Sequence, residues 1–352
     1  MGPLAPLAES PRLVLWTFRR CPYAIRARLA LAAADRVPGH ALEVRELNLA
    51  AKPPEFLAFG RPATVPLLAP SDGPALHESL QIMHWALERH DPGDWLWRRD
   101  RGAAAGADGA SAARIGDRVA ALVAENDGPF KHHLDRFKYA SRYPDNDPGA
   151  HREAALAILR GWNGRLERFS GGGEPGWLLG ARSSLADWAL LPFVRQFRLA
   201  DPAGFDAALG IGALQAWLAR FEAGSELAEV MAPPLAPRHP WRSPSWLYHL
   251  ALAEEWQQAQ AAGVYRRSTR GLSIEQVGYL HASHGDQIAA TFERFYSDAG
   301  PVRLLSIDPQ RLEAAGLEVK EEAAPDSGEL FPHVYGGPLP CEAVVAAEPY
   351  RP

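Results

Sequence analysis

Residues 13–34 read LVLWTFRRCPYAIRARLALAAA and predict a buried strand, a tight turn and a helix in succession. The run begins with an apolar stretch whose aromatic and branched side chains favour a central strand. Pro22 suits the first helical position, where its missing N–H is not needed, so Cys21 is predicted at the N-cap. There the thiol faces unpaired backbone N–H groups and the positive end of the helix dipole. With Arg19 and Arg20 before it, this position predicts a lowered pKa for Cys21 and a reactive thiolate.

The motif contains a single thiol. Ala24 stands where a second cysteine would close a disulfide, so any second thiol must come from another molecule. The alternative is that Cys21 is a small buried apolar residue, as many free cysteines are, but its place at a helix start favours the reactive interpretation. Farther along the helix, Arg26 and Arg28 are predicted on the solvent face, because an apolar pair four residues apart faces the core.

Composition limits the classes of protein to consider. The chain has 352 residues, of which 47% are hydrophobic and 22% charged, and two or three soluble domains are expected. A net charge of −5 gives no reason to expect nucleic acid as a partner. No signal peptide and no membrane-spanning run are evident. Cys21 and Cys341 are the only cysteines, which excludes a disulfide framework and predicts a cytoplasmic location.

Two further segments of the first domain point to a peptide ligand. Residues 41–49 alternate like a half-covered strand, and residues 64–68 form an apolar run interrupted by Pro66. A cis Val65–Pro66 bond would turn the backbone groups of Val65 outward, toward the helix that starts at Cys21. An extended peptide could pair there by strand addition.

The start of the helix predicted over residues 80–90 could hold charged groups. Ser79 is predicted as its N-cap, after a short strand over residues 75–77. That helix start could hold a carboxylate, and Glu78 could hold an ammonium group. A ligand with a thiol at Cys21, a peptide backbone at Val65 and an amino-acid head group here fits these features. Glutathione has all three.

Residues 13–90 resemble the thioredoxin-like half of the glutathione transferase family, in its cysteine-type or omega-like branch. The matching residues are Cys21-Pro22-Tyr23-Ala24, Lys52-Pro53, Val65-Pro66 and Glu78-Ser79. The resemblance implies a mixed disulfide between Cys21 and glutathione, with Lys52 near the glycyl carboxylate. It also implies that Val65, followed by Pro66, pairs with the cysteinyl backbone. Glu78 and Ser79 would hold the γ-glutamyl group.

Helical periodicity replaces strand signals from residue 91 to residue 232. Ser184 and Asp187 precede an apolar run and predict a capping box, as in the central helix of the transferase fold. In that family the acceptor pocket lies between the two domains. The residues predicted to line it are Tyr23, Phe130, Tyr139 and Tyr143, with Lys131 or Arg142 contacting an anionic substrate. The alternative is a solvated helix face whose aromatic side chains lie in the core.

A proline-rich linker over residues 233–245 leads to a separate α+β domain over residues 246–352. This region resembles a small bacterial domain family of unknown function. The matching residues are Tyr248-His249, Glu255-Trp256, Tyr279-Leu280-His281-Ala282-Ser283, Gln287 and Phe331-Pro332-His333-Val334-Tyr335-Gly336. More remotely, its histidine strands resemble the ADP-ribosyltransferase fold, which implies a pocket for a nicotinamide nucleotide.

The pocket of this last domain is predicted at His249, His281, Ser283 and His333. Together with His284, the histidines also allow a metal site, but no cysteine or paired carboxylate completes a ligand set. A polar pocket without metal is therefore the interpretation for this domain, and no metal is expected.

The sequence thus predicts three domains, at residues 11–90, 91–232 and 246–352: a thioredoxin-like α/β domain, an all-α domain and a small α+β domain. The predicted function is that of a cysteine-type glutathione transferase, a thiol transferase or reductase acting through a Cys21–glutathione disulfide. Its co-substrate is glutathione and its acceptor is a small molecule or a glutathionylated thiol. The alternatives are conjugation of glutathione to electrophiles and a non-catalytic binding or scaffold protein whose activity lies in the last domain. A homodimer is also possible.

Overall fold

The computed structural model confirms the predicted order of a thioredoxin-like domain, a helical domain and a small, strand-rich α+β domain. It describes residues 12–36, 41–60, 62–71, 73–98, 112–171, 176–232, 240–325 and 327–351.

The first domain is built on a three-stranded sheet with the order β2-β1-β3. Its elements are β1 (Arg12–Thr17), α1 (Pro22–Ala33), β2 (Ala41–Glu46), α2 (Pro54–Leu57), β3 (Leu67–Pro70) and α3 (Ser79–Arg89). Strand β1 runs parallel to β2 and antiparallel to β3. The strand predicted at residues 75–77 is reduced to a single bridge, in which Leu76 exchanges two backbone hydrogen bonds with Leu68 at 2.8 and 3.0 Å.

The two arginines of helix α1 are not on its solvent face, where the sequence had predicted them. Arg26 and Arg28 were expected on the solvent face, but both are buried. The reason is that α1 packs against α3 on one side and against the helical domain on the other, so little of its surface stays wet. Arg28 donates to the Thr17 hydroxyl and to the Arg19 carbonyl, both at 3.0 Å. Burial lowers the pKa of Arg28 to about 10.

The helical domain surrounds one almost completely buried helix, α7. Its elements are α4 (Ala112–Glu125), a π-helical turn (Asn126–Phe130), α5 (Lys131–Lys138), a 3-10 turn (Ala140–Arg142), α6 (Pro148–Arg168), α7 (Leu185–Ala200), α8 (Pro202–Asp206), α9 (Gly212–Ala223) and α10 (Ser225–Met231). The predicted capping box is present at the start of α7: Ser184 and Asp187 exchange hydrogen bonds as expected. The π-helical turn contains Pro129, whose missing N–H cannot complete the regular helical pattern.

The first two domains share a packed interface. Helix α1 packs against α7 and α10, and the Tyr23 ring packs edge-on against Phe193 with ring centroids 4.8 Å apart. Arg36, at the end of α1, forms an ion pair with Glu229 on α10. The position of the α1 start relative to the helical domain is therefore fixed by aromatic packing and by ionic contacts.

The third domain contains two three-stranded antiparallel sheets, ordered β13-β9-β4 and β10-β11-β8. Its strands are β4 (Leu247–Leu252), β5 (Val264–Tyr265), β6 (Arg267–Thr269), β7 (Leu272–Ser273), β8 (Leu280–His281), β9 (Val302–Ile307), β10 (Glu318–Ala323), β11 (Leu330–Tyr335), β12 (Leu339–Pro340) and β13 (Val344–Tyr350). Its helices are α11 (Ala253–Ala262), α12 (Ile274–Val277), α13 (Ile288–Phe295) and α14 (Pro309–Ala314). Strands β10 and β11 were not among the predicted elements.

The end of the predicted linker contacts the first domain. Residues 233–239 lie outside the described residues. Pro240 forms a bridge with Glu43, and the Trp241 N–H donates to the Leu42 carbonyl at 2.6 Å. The connection to the third domain thus continues the edge of the first sheet at β2. Among the described helices, none combines the length and the apolar character needed to cross a membrane.

Candidate active site

Cys21 lies where the sequence predicts it, at the N-cap of α1 with Pro22 at the first helical position. Its backbone N–H donates to the Phe18 carbonyl at 3.0 Å, and its carbonyl accepts from the Ile25 N–H at 2.9 Å. The chain is thereby held in a tight turn between β1 and α1. Cys21 is half-buried, so protein covers much of the residue while part of it stays accessible to solvent.

The predicted low pKa of Cys21 is wrong in direction. Burial raises the pKa of the thiol above its ordinary value, and it outweighs the N–H groups of Ala24 and Tyr23 that bond to the sulfur. The positive charges of Lys131 and Arg28 also favour the thiolate without reversing this effect. The thiol is therefore protonated at neutral pH.

The Val65–Pro66 peptide bond is cis, as predicted, and it lies beside Cys21. The sulfur and the Val65 carbonyl oxygen are 3.9 Å apart, within the range of a weak S–H···O contact. Nearby in the same loop, the Lys52 ammonium donates to the Ala63 carbonyl at 2.6 Å. Among the described residues this is the acceptor found for Lys52, and it leaves two of the three ammonium hydrogens for other partners. The segment that contains Lys52, Ala63 and Val65 therefore lies beside the Cys21 sulfur.

Helix α3 begins one residue earlier than predicted. Glu78 occupies the N-cap and Ser79 is the first helical residue, so the prediction of Ser79 as N-cap is wrong. The reason is that the Ser79 hydroxyl accepts from the Arg26 Nε at 2.9 Å and does not turn back to the helix. No side chain caps the helix start, and the Glu78 carboxylate is exposed.

Arg26 connects this helix start to the helical domain, which no sequence motif indicated. Besides Ser79, its guanidinium binds both carboxylate oxygens of Asp127 at 3.0 and 2.7 Å. The same group lies 4.9 Å from the centre of the Tyr23 ring and 5.2 Å from that of Phe193. The contact could not be predicted from sequence spacing, because Asp127 lies 101 residues from Arg26, in the π-helical turn.

The side of Cys21 that faces the helical domain carries positive charge. Tyr23 packs edge-on against Phe193 of α7, with ring centroids 4.8 Å apart, and the Lys131 ammonium is 5.8 Å from its ring centre. Lys131 pairs with Asp135 on the same helix. Burial lowers the pKa of the neighbouring Lys138, whose charge also interacts with Arg20 and Lys131.

Of the other residues predicted for the acceptor pocket, Phe130 lies elsewhere. Its side chain is fully buried between Trp162 and Phe197, because the π-helical turn directs it into the core of the helical domain. Tyr139 and Arg142 lie at the C-terminal end of α5 and contact one another, the guanidinium 4.5 Å from the ring centre.

The third domain brings three of its four predicted pocket residues together. His249 is buried, and its Nδ1 bonds to the His281 carbonyl at 2.7 Å. His281 pairs across the sheet with His333, and their ring centroids are 5.0 Å apart. Ser283 differs, since its hydroxyl contacts Thr291 at 3.3 Å.

The histidines of this domain have different surroundings. Burial lowers the pKa of His249 to about 4, and its Nε2 lies 3.2 Å from the Tyr265 hydroxyl. His333 instead contacts the Glu322 carboxylate at 2.5 Å and stacks on Tyr279. His284 is separate, because it pairs with Glu321.

Three known families match three successive segments of the chain, one in each domain. Residues 15–94 match the family "Glutathione S-transferase, N-terminal domain", and residues 116–220 match "Glutathione S-transferase, C-terminal domain". Residues 250–347 match "Protein of unknown function (DUF952)", which agrees with the predicted family of unknown function. No curated protein matches the chain.

Several solved structures are similar to this chain. Glutathione transferase Omega 3C from Trametes versicolor is 22% identical over 62% of this chain and 83% of that chain, with a TM-score of 0.46. A glutathione S-transferase from Rhodospirillum rubrum is 20% identical over 65% and 96%, with a TM-score of 0.46. A glutathione transferase family member from Pseudomonas fluorescens, solved with two glutathione molecules bound, is 18% identical over 65% and 96%, with a TM-score of 0.47.

Proposed function

The first two domains of this chain belong to the glutathione S-transferase family, and we propose on that premise that the protein is a glutathione-dependent thiol transferase. In the first step, the Cys21 sulfur attacks a glutathionylated thiol, RS–SG. The RS–SG bond breaks, a Cys21–S–SG disulfide forms, and the thiol proton leaves with RSH. In the second step, glutathione attacks this disulfide, which yields oxidised glutathione and restores the Cys21 thiol.

The observation that carries this proposal is the position of the Cys21 sulfur at a helix start, 3.9 Å from the Val65 carbonyl. The backbone N–H groups of Tyr23 and Ala24 point at the sulfur and stabilise negative charge as it develops there. A peptide that pairs with the backbone of Val65 would present its own sulfur to Cys21.

Glutathione fits the groups that surround this sulfur. The uncapped start of α3 offers backbone N–H donors to the γ-glutamyl carboxylate, and the exposed Glu78 carboxylate suits the ammonium group beside it. Lys52, with ammonium hydrogens to spare, suits the glycyl carboxylate. Ser79 contributes through Arg26, which fixes the hydroxyl at the helix start.

The acceptor side favours a negatively charged partner. Lys131, Lys138 and Arg20 bring three cationic side chains to the helical-domain side of the site, and Asp135 balances only part of that charge. We therefore propose that the acceptor carries a carboxylate or another anionic group near its sulfur, as a glutathionylated compound does.

A second candidate is conjugation of glutathione to electrophiles, which the raised pKa of Cys21 favours. A protonated thiol can donate a hydrogen bond to the thiolate of bound glutathione, as a serine or tyrosine hydroxyl would. In this reaction glutathione itself is the nucleophile and Cys21 forms no covalent bond.

Two activity assays on three proteins separate these functions. The proposal expects the native chain to release a small thiol from its mixed disulfide with glutathione, and Cys21→Ser to lose this exchange. Cys341→Ser is the matched control and must keep it. If Cys21→Ser loses exchange but retains conjugation of an electrophilic aromatic compound, both reactions use the site. If exchange persists in Cys21→Ser, the proposal is wrong. If the native chain is inactive in both assays, a binding or scaffold role is favoured instead.

A further inference from the structure

We propose that His132 and His133 of α5 and His151 of α6 bind a divalent transition-metal ion, for which Zn²⁺ is the best representative. One ring nitrogen from each of the three side chains lies within 4.8 Å of the other two. Their ring centroids form a nearly regular triangle with sides of 5.1, 5.1 and 5.6 Å. Neutral imidazole is a preferred ligand for Zn²⁺, Ni²⁺ and Cu²⁺, and three imidazoles plus a water complete a tetrahedral zinc site.

The distances between the donor atoms suit such an ion. Two nitrogens bound to the same tetrahedral Zn²⁺, each at about 2.0–2.1 Å, are separated by roughly 3.4 Å. The Nδ1 atoms of His133 and His151 are 2.8 Å apart, so small side-chain rotations reach the required spacing. At 2.8 Å two nitrogen lone pairs repel one another unless a proton or a cation lies between them.

The second nitrogen of His151 indicates which atom is free to bind. Its Nε2 lies 3.2 Å from the Asn146 side-chain oxygen, which can only accept a hydrogen bond. The Nε2 therefore carries the hydrogen, and the lone pair is on Nδ1, which points at His133. Metal-bound histidines typically donate their other ring N–H to such an oxygen, which orients the ring and fixes its tautomer.

The cluster is accessible to an ion from solvent. His132 is exposed and the other two rings are half-buried, which leaves the ion a path from solvent. Two charged side chains of opposite sign, Arg136 and Asp135, lie close to His132.

A bound ion would join two helices that meet at the active-site wall. His132 directly follows Lys131, the residue whose charge acts on Cys21, while His151 lies in the first turn of α6. The ion would thus fix the start of α5 against α6. The alternative is a hydrogen bond between two neutral imidazoles, with a proton on the His133 Nδ1 and no ion.

Zn²⁺ titration of the chelator-treated full chain by isothermal titration calorimetry distinguishes these two arrangements. We expect one Zn²⁺ per chain, with His133→Ala and His151→Ala each losing at least about tenfold in affinity, and Asn146→Ala losing roughly tenfold. His84→Ala, which removes an exposed histidine of α3, and Cys21→Ser must bind as the native chain does. Failure of the native chain to bind one ion, or equal affinity in His151→Ala, would overturn the proposal.

Cobalt provides a spectroscopic readout of the same site. Co²⁺ in the native chain should give the visible absorption of a tetrahedral site without the near-ultraviolet band of cobalt–thiolate bonds. His132→Ala, whose side chain is exposed and packs little, should remove this spectrum while circular dichroism stays native. A thiolate band, or a spectrum unchanged in His132→Ala, would place the ion elsewhere.

Discussion

Replacing Asp127 by alanine removes the only carboxylate that binds the Arg26 guanidinium in the described part of the chain. Arg26 is 2% exposed, and it reaches Asp127 through two hydrogen bonds of 2.7 and 3.0 Å. Without Asp127 the guanidinium keeps the Ser79 hydroxyl but stays buried with its charge unbalanced. This ion pair joins α1, beside the candidate glutathione site, to the helical domain. Its contribution to the free energy of unfolding therefore shows how strongly it holds the two domains together.

The size of the effect follows from the burial of the two partners. Two unit charges about 4 Å apart attract by roughly 4 kcal/mol at an effective dielectric constant of about 20. The Asp127 side chain is 27% exposed, so water weakens the pair, and we expect Asp127→Ala to lower the free energy of unfolding by about 3 kcal/mol. Arg26→Met should cost less, about 1–2 kcal/mol, because the remaining carboxylate can be hydrated.

Urea unfolding followed by tryptophan fluorescence measures this difference. All 11 tryptophans except Trp246 and Trp256 precede the third domain, so the signal reports chiefly on the first two domains. Asp206→Ala is the matched control, because it breaks an equally bidentate pair with Arg198 on the surface, where the loss should be far smaller. If Asp127→Ala costs no more than Asp206→Ala, or less than Arg26→Met, the buried charge does not hold the interface.

Two more predictions concern the candidate active site. Burial raises the pKa of Cys21, and only the thiolate reacts with iodoacetamide. The alkylation rate of Cys21 should therefore be lower at pH 7 than that of an exposed cysteine and should still rise through pH 9. A plateau of this rate below pH 8 would contradict the direction of the pKa shift. Glu78→Gln should raise the KM for glutathione about fivefold at unchanged kcat, because it removes one exposed charge contact to the ammonium group. Glu55→Gln, another exposed glutamate of the first domain, should leave KM unchanged, and an equal effect of both changes would exclude a role for Glu78.

The sequence predicted the parts of the site that depend on local chemistry. Cys21 at a helix start follows from Pro22 and the preceding strand, and the cis bond was inferred from a proline within an apolar run. The capping box at Ser184 and Asp187 is also local, because both partners lie within one helical turn. In each case the partners are close in sequence, so spacing alone restricts the geometry.

Burial and long-range partners were not predictable in this way. The direction of the Cys21 pKa shift depends on how much protein covers the thiol, which is a property of the assembled domains. Arg26 appeared to lie on a wet helix face because its partner Asp127 comes from another domain. The histidine triangle was missed for the same reason, since 18 residues and a change of helix separate His133 from His151.

Intact-mass analysis after incubation with oxidised glutathione shows whether Cys21 forms a disulfide with glutathione. We expect the native chain and Cys341→Ala each to gain the mass of one glutathionyl group, Cys21→Ala to gain none, and added glutathione to remove the adduct. A native chain that stays unmodified, or a Cys21→Ala chain that still gains the group, would show that Cys21 is not the residue that reacts with glutathione.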